Sequence, residues 1–317
     1  MPSINEALRH FTLPRLESRL LLAHVSGLSH SAMVSAGPEP LPDAQWQAFC
    51  QLAERRLAGE PVAYLLGERE FYGRRFAVSP AVLIPRPETE HLVEAALGKV
   101  GRMQPARVVD LGTGSGAIAV TLALEAPAWQ VTAVDLSPDA LATAAANAAS
   151  LGATVAFHHG SWFDPLPCDA VFELIVSNPP YIDAADHHLG EGDVRFEPRM
   201  ALTDGHDGLD CLRAIAAGAP ARLAAGGWLM VEHGYDQGPA CRQLFELAGL
   251  QQVATLPDLA GLDRVTLEVE AARDEVAGLD LAQQRADARL ARERLQHQLD
   301  RAAAGQAEAA RFFTGDA

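Results

Sequence analysis

A short stretch of the chain, VVDLGTGSGAIAV from Val108 to Val120, limits the possible folds more than any other. The apolar run Ala106–Leu111 reads as a buried strand. Glycine then recurs at alternate positions, Gly112, Gly114 and Gly116, and the apolar spacing that follows is helical. A glycine turn between a strand and a helix lets the main chain bend sharply and leaves room for a ligand to lie against the backbone. The spacing alone also occurs in tight turns that bind nothing, so its surroundings carry the weight. Downstream, Gln130–Asp135, Thr154–His159, Glu173–Asn178 and Gly226–Glu232 read as further buried parallel strands, with helical patterns between most of them. That alternation predicts a doubly wound α/β sheet. Gln251–Leu256 and Arg264–Val269, joined by PDLAGLD without a helix between them, are expected to form an antiparallel hairpin at one edge.

Ahead of the sheet, apolar residues recur at helical spacing from Ile4 to about Gly59, for example Leu16, Leu20, Leu21 and His24, then Trp46, Phe49, Leu52 and Ala53. The turn-rich SAGPEPLPD separates the two stretches, which predicts a small helical domain. EFYGRRFAVSPAVLIPRPETEHLVEAAL reads as a short hairpin or extended linker, a proline-punctuated loop and a helix starting near Glu88 or Thr89. The expected division is a helical domain over 1–70, a hairpin and loop over 71–104, a catalytic sheet domain over 105–270 and a tail over 271–317. The tail is rich in Ala, Arg, Glu and Gln, and predicts partial helix with an apolar seam too irregular for a regular coiled coil.

Composition narrows the function classes. A formal net charge of −16 weighs against a stable nucleic-acid partner, because that affinity comes largely from Lys and Arg at phosphates. No apolar run approaches the roughly 20 residues of a membrane span. The first residues, broken by charge and Pro14, do not read as a signal peptide, so a cytoplasmic location is expected. Cys50, Cys168, Cys211 and Cys241 are scattered and read as reduced thiols. The adjacent pairs His158–His159 and His187–His188 would point to opposite faces if they lay on strands. No carboxylate cluster is visible to complete either set, so no metal site is expected.

Asp135 ends the second strand of the sheet, ahead of Ser137-Pro138. A carboxylate there is placed to accept hydrogen bonds from both ribose hydroxyls of an adenosine, which suits NAD and S-adenosylmethionine alike; a helix-terminal charge is the plainer alternative. GSWFD, Gly160 to Asp164, follows the third strand and would bring Trp162 or Phe163 beside an adenine ring, unless these are core aromatics. The added antiparallel strand fits a methyltransferase better than a dehydrogenase.

SNPPYID, Ser177 to Asp183, follows the fourth strand and faces the same crevice. Pro179 and Pro180 remove two N–H donors and leave carbonyls that accept, and Asn178 adds a side-chain acceptor. A planar amide or aromatic amine is a poor nucleophile because its nitrogen lone pair is delocalised. Two acceptors on its N–H bonds would orient it and take up the charge that develops as an electrophilic methyl arrives. The oxygen of Asn178 and the carbonyl of Pro179 suit that task, with Tyr181 packing on the planar group. Arg86 to Thr89 would either close over the cleft or simply start a helix.

DLGTGSG, AVD, GSWF and SNPPYI in this order and spacing, with LIPRPETE upstream and EHG at Glu232–Gly234, resemble the release factor glutamine methyltransferase family, also called PrmC or HemK. The resemblance runs from the helical N-terminal part to about Val269. It implies a class I S-adenosylmethionine-dependent methyltransferase with a Rossmann-like sheet and a small helical domain. In that family the helical domain helps to dock a class 1 peptide chain release factor, whose Gly-Gly-Gln glutamine is methylated on N5 as S-adenosylhomocysteine forms. It further implies cofactor contacts from Gly112, Thr113, Gly114, Ser115, Gly116, Asp135, Trp162 and Asn178, and glutamine contacts from Asn178, Pro179, Pro180 and Tyr181. A ribosomal-protein glutamine methyltransferase shares fold and motif. Adenine-N6 nucleic-acid methyltransferases share N-P-P-Y but are opposed by the acidic charge. An adenosine-binding scaffold without activity would leave Asn178 without a purpose. The tail departs from the family's ending, so its role and the oligomeric state stay open.

Overall fold

The computed structural model describes residues 1–269; the expected helical tail lies outside them. Five helices come first: α1 (Ile4–His10), α2 (Arg15–Ser26), α3 (His30–Ser35), α4 (Asp43–Leu57) and α5 (Val62–Leu66). Ser3 and Glu6 form a reciprocal capping box that starts α1. On α4 the expected apolar face holds, with Phe49 and Ala53 buried and Trp46 and Leu52 packed against the same cluster.

The expectation for α2 needs correction. Its inward residues are Ser18, Leu21 and Leu22, whereas Leu16 is 70% exposed and Leu20 and His24 also face outward. At roughly 100° per residue, Ser18, Leu21 and Leu22 share one face and Leu16 and Leu20 lie on the other. A helix with leucines on both sides does not reveal from spacing which stripe is covered.

The chain then forms a two-stranded antiparallel hairpin, β1 (Glu68–Phe71) with β2 (Arg74–Ala77). Phe71 and Phe76 from this hairpin meet edge-to-face inside the main core. After a 3-10 turn over Pro87–Thr89 come α6 (Glu90–Val100), β3 (Ala106–Leu111), α7 (Ala117–Glu125), β4 (Trp129–Asp135), α8 (Pro138–Leu151), β5 (Val155–His159) and β6 (Phe172–Ser177). The remaining elements are α9 (Asp210–Gly218), β7 (Leu223–Glu232), α10 (Gly238–Leu247), β8 (Gln251–Pro257) and β9 (Asp263–Val269).

The seven-stranded sheet has the order β5-β4-β3-β6-β7-β9-β8. β3 to β7 pair in parallel, and β9 runs antiparallel to both β7 and β8, as the edge hairpin requires. Adjacent residues on β3 serve opposite layers: Val108 packs with α6, α7 and α8, and Val109 with α9 and α10. β3, β4, β6 and β7 are largely buried, which is why they read as apolar runs, whereas β5, expected to be buried, lies at the sheet edge with no buried residue and with Ala156 and His159 exposed. The strand order reverses at β3, between β4 and β6, and opens a crevice beyond the carboxyl ends of these strands.

The helical part is tied to this crevice. Tyr64 of α5 donates to the Val82 carbonyl at 2.7 Å, and a small apolar cluster joins Ala63 and Tyr64 to Val78, Val82, Ile84 and Ala140 of α8. Arg56 of α4 donates to Asp193 at 2.8 Å and forks onto both oxygens of Glu17 at 2.8 and 3.2 Å.

His187 and His188 lie in a 3-10 turn rather than on a strand, their rings 3.9 Å apart, with Asp186 Oδ1 2.7 Å from His188 Nδ1. The turn turns both rings to one side. Asp186 also accepts the His188 backbone N–H, which makes it the cap of that turn.

Candidate active site

A cavity of about 360 Å³ occupies the crevice, walled by the glycine loop, the ends of β4, β5 and β6, the Ala81–Thr89 segment and the 198–204 loop. Gly112, Gly114 and Gly116 all take positive φ, at 75°, 55° and 81°. At Gly116 the space is as restrictive as the angle, since a Cβ there would sit 3.0 Å from the Ala144 Cβ on α8. At Gly114 a Cβ would meet nothing within 4 Å, so the loop presents bare backbone to the cavity. The N–H groups of Gly112 and Thr113 both donate to the Val134 carbonyl, at 2.8 and 3.0 Å, and lash the turn to β4.

Three polar side chains hold this loop. Asp135 accepts from the Gly114 N–H through Oδ2 and from the Ser137 N–H through Oδ1, each at 2.8 Å. It thus joins the loop to the start of α8, and partial burial raises its carboxyl above the usual range. Asp110 is fully buried and accepts through Oδ2 from the Thr113 hydroxyl at 2.6 Å and the Ala119 N–H at 3.2 Å. Burial pushes its carboxyl up to about 7, and Oδ1 has no partner among the described residues. Asn147 of α8 donates to the Ser115 carbonyl at 2.8 Å and exchanges hydrogen bonds with both backbone groups of Ala77, so the loop is braced against the β1–β2 hairpin.

The two aromatics after β5 divide their roles. Trp162 lines the cavity, its ring 3.7 Å from where a Cβ on Gly112 would be, and it does so at φ 45°, a rare angle for a bulky residue. Phe163 instead packs in the core against Gly218, where any Cβ would fall 2.5 Å from its ring. Strain held at a cavity wall is typical of functional positions.

At the end of β6, Asn178 and Pro180 reach the cavity, while Pro179 is buried behind them and neither it nor Tyr181 contributes to the wall. The Asn178 amide donates through Nδ2 to the hydroxyl of buried Thr89 at 3.1 Å, which leaves its Oδ1 as an acceptor. Tyr181 donates its hydroxyl to Glu232 Oε1 at 3.3 Å, and burial beside that carboxylate raises the phenol's pKa. The Ala81–Thr89 segment is fastened from the far side: Glu197 accepts from the Ile84 N–H at 3.0 Å and from the Arg86 guanidinium at 2.5 Å. Arg86 and Thr89 therefore form part of the cavity wall rather than only a helix start.

Asp110, Asn147 and Glu197 were not among the residues that the sequence singles out. Asp110 carried a signal, its position within the glycine motif. Asn147 had only the contrast of one amide within AAANAAS, and Glu197 had none.

The cradle suits an adenosine-bearing ligand. It offers bare backbone at Gly114, a partly buried carboxylate at Asp135 and an aromatic wall at Trp162. Among the described residues no helix is long and apolar enough to cross a membrane.

Residues 4–67 match the PrmC N-terminal domain model, and residues 89–191 match the methyltransferase small domain model. The chain is 58% identical over 256 residues to the release factor glutamine methyltransferase of Neisseria gonorrhoeae, spanning 80% of this chain and 93% of that protein. It is 55% identical over 255 residues to its counterpart in Bordetella pertussis, spanning 80% and 94%. Among solved structures, the release factor-specific protein-(glutamine-N5) methyltransferase of Alicyclobacillus acidocaldarius is 35% identical, covers 62% of this chain and 99% of its own, and superposes with a TM-score of 0.40.

Proposed function

The chain belongs to the release factor glutamine methyltransferase family, and from that premise we propose that it methylates the N5 amide nitrogen of the Gly-Gly-Gln glutamine in class 1 peptide chain release factors. The protein is an S-adenosylmethionine-dependent methyltransferase. S-Adenosylmethionine supplies, when bound, a methyl group already activated by its sulfonium and leaves as S-adenosylhomocysteine. Gly112 to Gly116, Asp135 and Trp162 would hold it, the loop offering backbone and Asp135 its carboxylate oxygens.

The observation that carries the reading is the orientation of Asn178 in the cavity wall. Its Nδ2 is committed to Thr89, so Oδ1 is left to accept an N–H from a glutamine side chain. The second acceptor in this reading is the Pro179 carbonyl, which would take the other N–H although Pro179 lies behind the wall, so the glutamine has to reach past Asn178 and Pro180 to meet it. Together they align the nitrogen and offset the positive charge that develops as the methyl bond forms. No strong base is needed before attack, because the proton becomes acidic only once the nitrogen is alkylated. Pro180 shapes the wall, and Tyr181 supports it from behind, its hydroxyl held by Glu232. A glutamate would set a carboxylate against these acceptors with no N–H to satisfy them, so selectivity for glutamine is built into the same pair. Release factors act in the cytoplasm, where we also place this protein.

The test is methyl transfer from labelled S-adenosylmethionine to a purified class 1 release factor, its Gln→Ala loop variant, ribosomal protein and unmethylated DNA, with the modified site mapped by mass spectrometry. Label confined to the Gly-Gly-Gln glutamine is expected. Label on ribosomal protein or on adenine would overturn the substrate assignment.

A further inference from the structure

The EHG stretch that ends β7 continues as EHGYDQG, Glu232 to Gly238, and its glutamine turns back on the loop that carries Asn178. Gln237 precedes α10, half-buried, and donates through Nε2 to the Tyr181 carbonyl at 2.8 Å and to the Gly208 carbonyl at 3.3 Å. Its Oε1 accepts the Gly234 N–H at 2.8 Å. The amide can sit only one way round, since the opposite orientation would set its oxygen against two carbonyls and its NH2 group against an N–H. Two glycines make room for these contacts. A Cβ on Gly234 would lie 3.0 Å from Oε1, and a Cβ on Gly208 would collide with the Tyr181 carbonyl oxygen.

The sequence of the Asn178 loop explains why it needs such a hold. Pro179 and Pro180 have no N–H, so no backbone donor is available between Asn178 and Tyr181, and the loop is held at its ends. At the front, the Ser177 hydroxyl donates to the Leu111 carbonyl at 2.6 Å and the Asn178 amide to Thr89 at 3.1 Å. At the rear, Tyr181 is gripped at both its polar ends, the carbonyl by Gln237 and the hydroxyl by Glu232, and the Ile182 N–H donates to the Leu202 carbonyl at 2.9 Å. Gln237 in addition ties the loop to Gly208, in the 203–211 segment whose Thr203, Asp204 and Cys211 line the cavity. We infer that Gln237 is a positioning residue: by holding the Tyr181 and Gly208 carbonyls it fixes the backbone behind Asn178 and Pro179, and with it the acceptors for the methylated nitrogen. The inference rests on the proposed role of those acceptors, so its test includes a readout that needs no methyl transfer.

Two variants separate positioning from a merely structural role. Gln237→Glu keeps an acceptor for the Gly234 N–H and sets a negative charge at the N-terminus of α10, both of which favour the fold, but it cannot donate to either carbonyl. Gln237→Met keeps the bulk and loses all three bonds. For Gln237→Glu the expected result is a melting temperature within ~3 °C of wild type, S-adenosylmethionine affinity within ~2-fold and kcat lowered roughly 10- to 100-fold, the scale of a small misplacement of reacting groups. Gln237→Met is expected to lose kcat in the same range. A wild-type kcat in Gln237→Glu overturns the inference, as does a rate loss in the pair that merely follows their melting temperatures.

The second readout is the Asn178 side-chain amide resonance in the ¹⁵N-labelled full chain, assigned by its loss in Asn178→Asp. It is expected to shift in Gln237→Met, a change that adds no charge. An unmoved resonance overturns the inference whatever the substrate proves to be, and does so even if Gln237→Glu fails to fold. Failure of the wild type to label any release factor refutes the substrate reading alone and leaves Gln237 to be decided by that resonance.

Discussion

Replacing Asp135 tests the cofactor cradle most directly, because the side chain has two separable duties. Each of its oxygens holds one backbone N–H, Gly114 or Ser137, at 2.8 Å. Their remaining lone pairs face the cavity wall, where ribose hydroxyls would donate. A hydrogen bond to a charged group contributes ~1.5–3 kcal/mol, so Asp135→Ala is expected to weaken S-adenosylmethionine binding by roughly 10- to 150-fold. The same change frees two N–H groups, but the position is only partly buried and water can reach them, so the melting temperature should fall by only a few degrees. Isothermal calorimetry with S-adenosylmethionine and S-adenosylhomocysteine measures the first effect and thermal unfolding the second. pH adds a third readout. The Asp135 carboxyl is raised by burial, and only its charged form accepts from both hydroxyls, so wild-type affinity is expected to drop on acidification while that of Asp135→Asn stays nearly level. Equal affinities for wild type and Asp135→Ala at neutral pH would remove Asp135 from the cofactor site and leave it a brace between loop and helix.

Asn178→Ala should keep cofactor affinity within a few-fold while lowering turnover by roughly 10²–10³, the usual effect of losing one transition-state hydrogen bond; an unchanged kcat would exclude it from the mechanism. Gly116→Ala should destabilise by ~2–4 kcal/mol, combining left-handed strain with a Cβ 3.0 Å from Ala144, and Ala144→Gly in the same chain should recover only the steric part; full recovery in denaturant titrations would mean that φ 81° contributes nothing. Asp110 has a folded pKa of about 7, above the unfolded value of about 3.9, so it stabilises the fold most below that lower value and this contribution is lost as pH rises to about 7. The stability difference between wild type and Asp110→Asn should therefore fall with pH across that window and level off above it; a difference independent of pH would show that the carboxyl ionises normally.

The parallel core was legible because strands buried on both faces must be apolar throughout, and Ala106–Leu111 coincides with β3 for that reason. The edge hairpin was legible because PDLAGLD is too short to hold a helix. The glycine loop, Asp135 and Asn178 were legible because each sits at the end of an apolar strand that local spacing marks. What stayed hidden depends on partners far away in sequence. Asn147 meets Ala77, Thr89 meets Asn178 and Glu197 meets Ile84 and Arg86, and no local spacing encodes such pairs. The choice between Trp162 and Phe163 belongs to the same class: the two aromatics are neighbours, and only the position of Gly218 on α9 settles which one enters the core.

Two of the ion-paired fastenings of the loop between β6 and α9 differ in strength, and their difference bears on how the helical domain relates to the active site. Arg56 of α4 reaches Asp193 at 2.8 Å, but Asp193 is half-exposed, and such pairs contribute ~0–1 kcal/mol. Four residues later Glu197, its side chain wholly buried, holds Arg86 at 2.5 Å and the Ile84 N–H at 3.0 Å. Removing Arg86 strands that carboxylate in the interior, which costs ~3–5 kcal/mol for a buried pair, with the lower end favoured because Arg86 itself is partly exposed. Through this loop the wall is thus fixed to the catalytic domain more firmly than to the helical domain, whose stronger hold on the wall is Tyr64 and Ala63 at Val82 and Ile84. Asp193→Ala should shift stability by less than ~1 kcal/mol and leave S-adenosylmethionine affinity unchanged, whereas Arg86→Ala should lower both. Denaturant titrations paired with calorimetry on the two variants decide it: comparable losses for both would mean that the two domains hold the cavity jointly, and that the helical domain could not move without opening it.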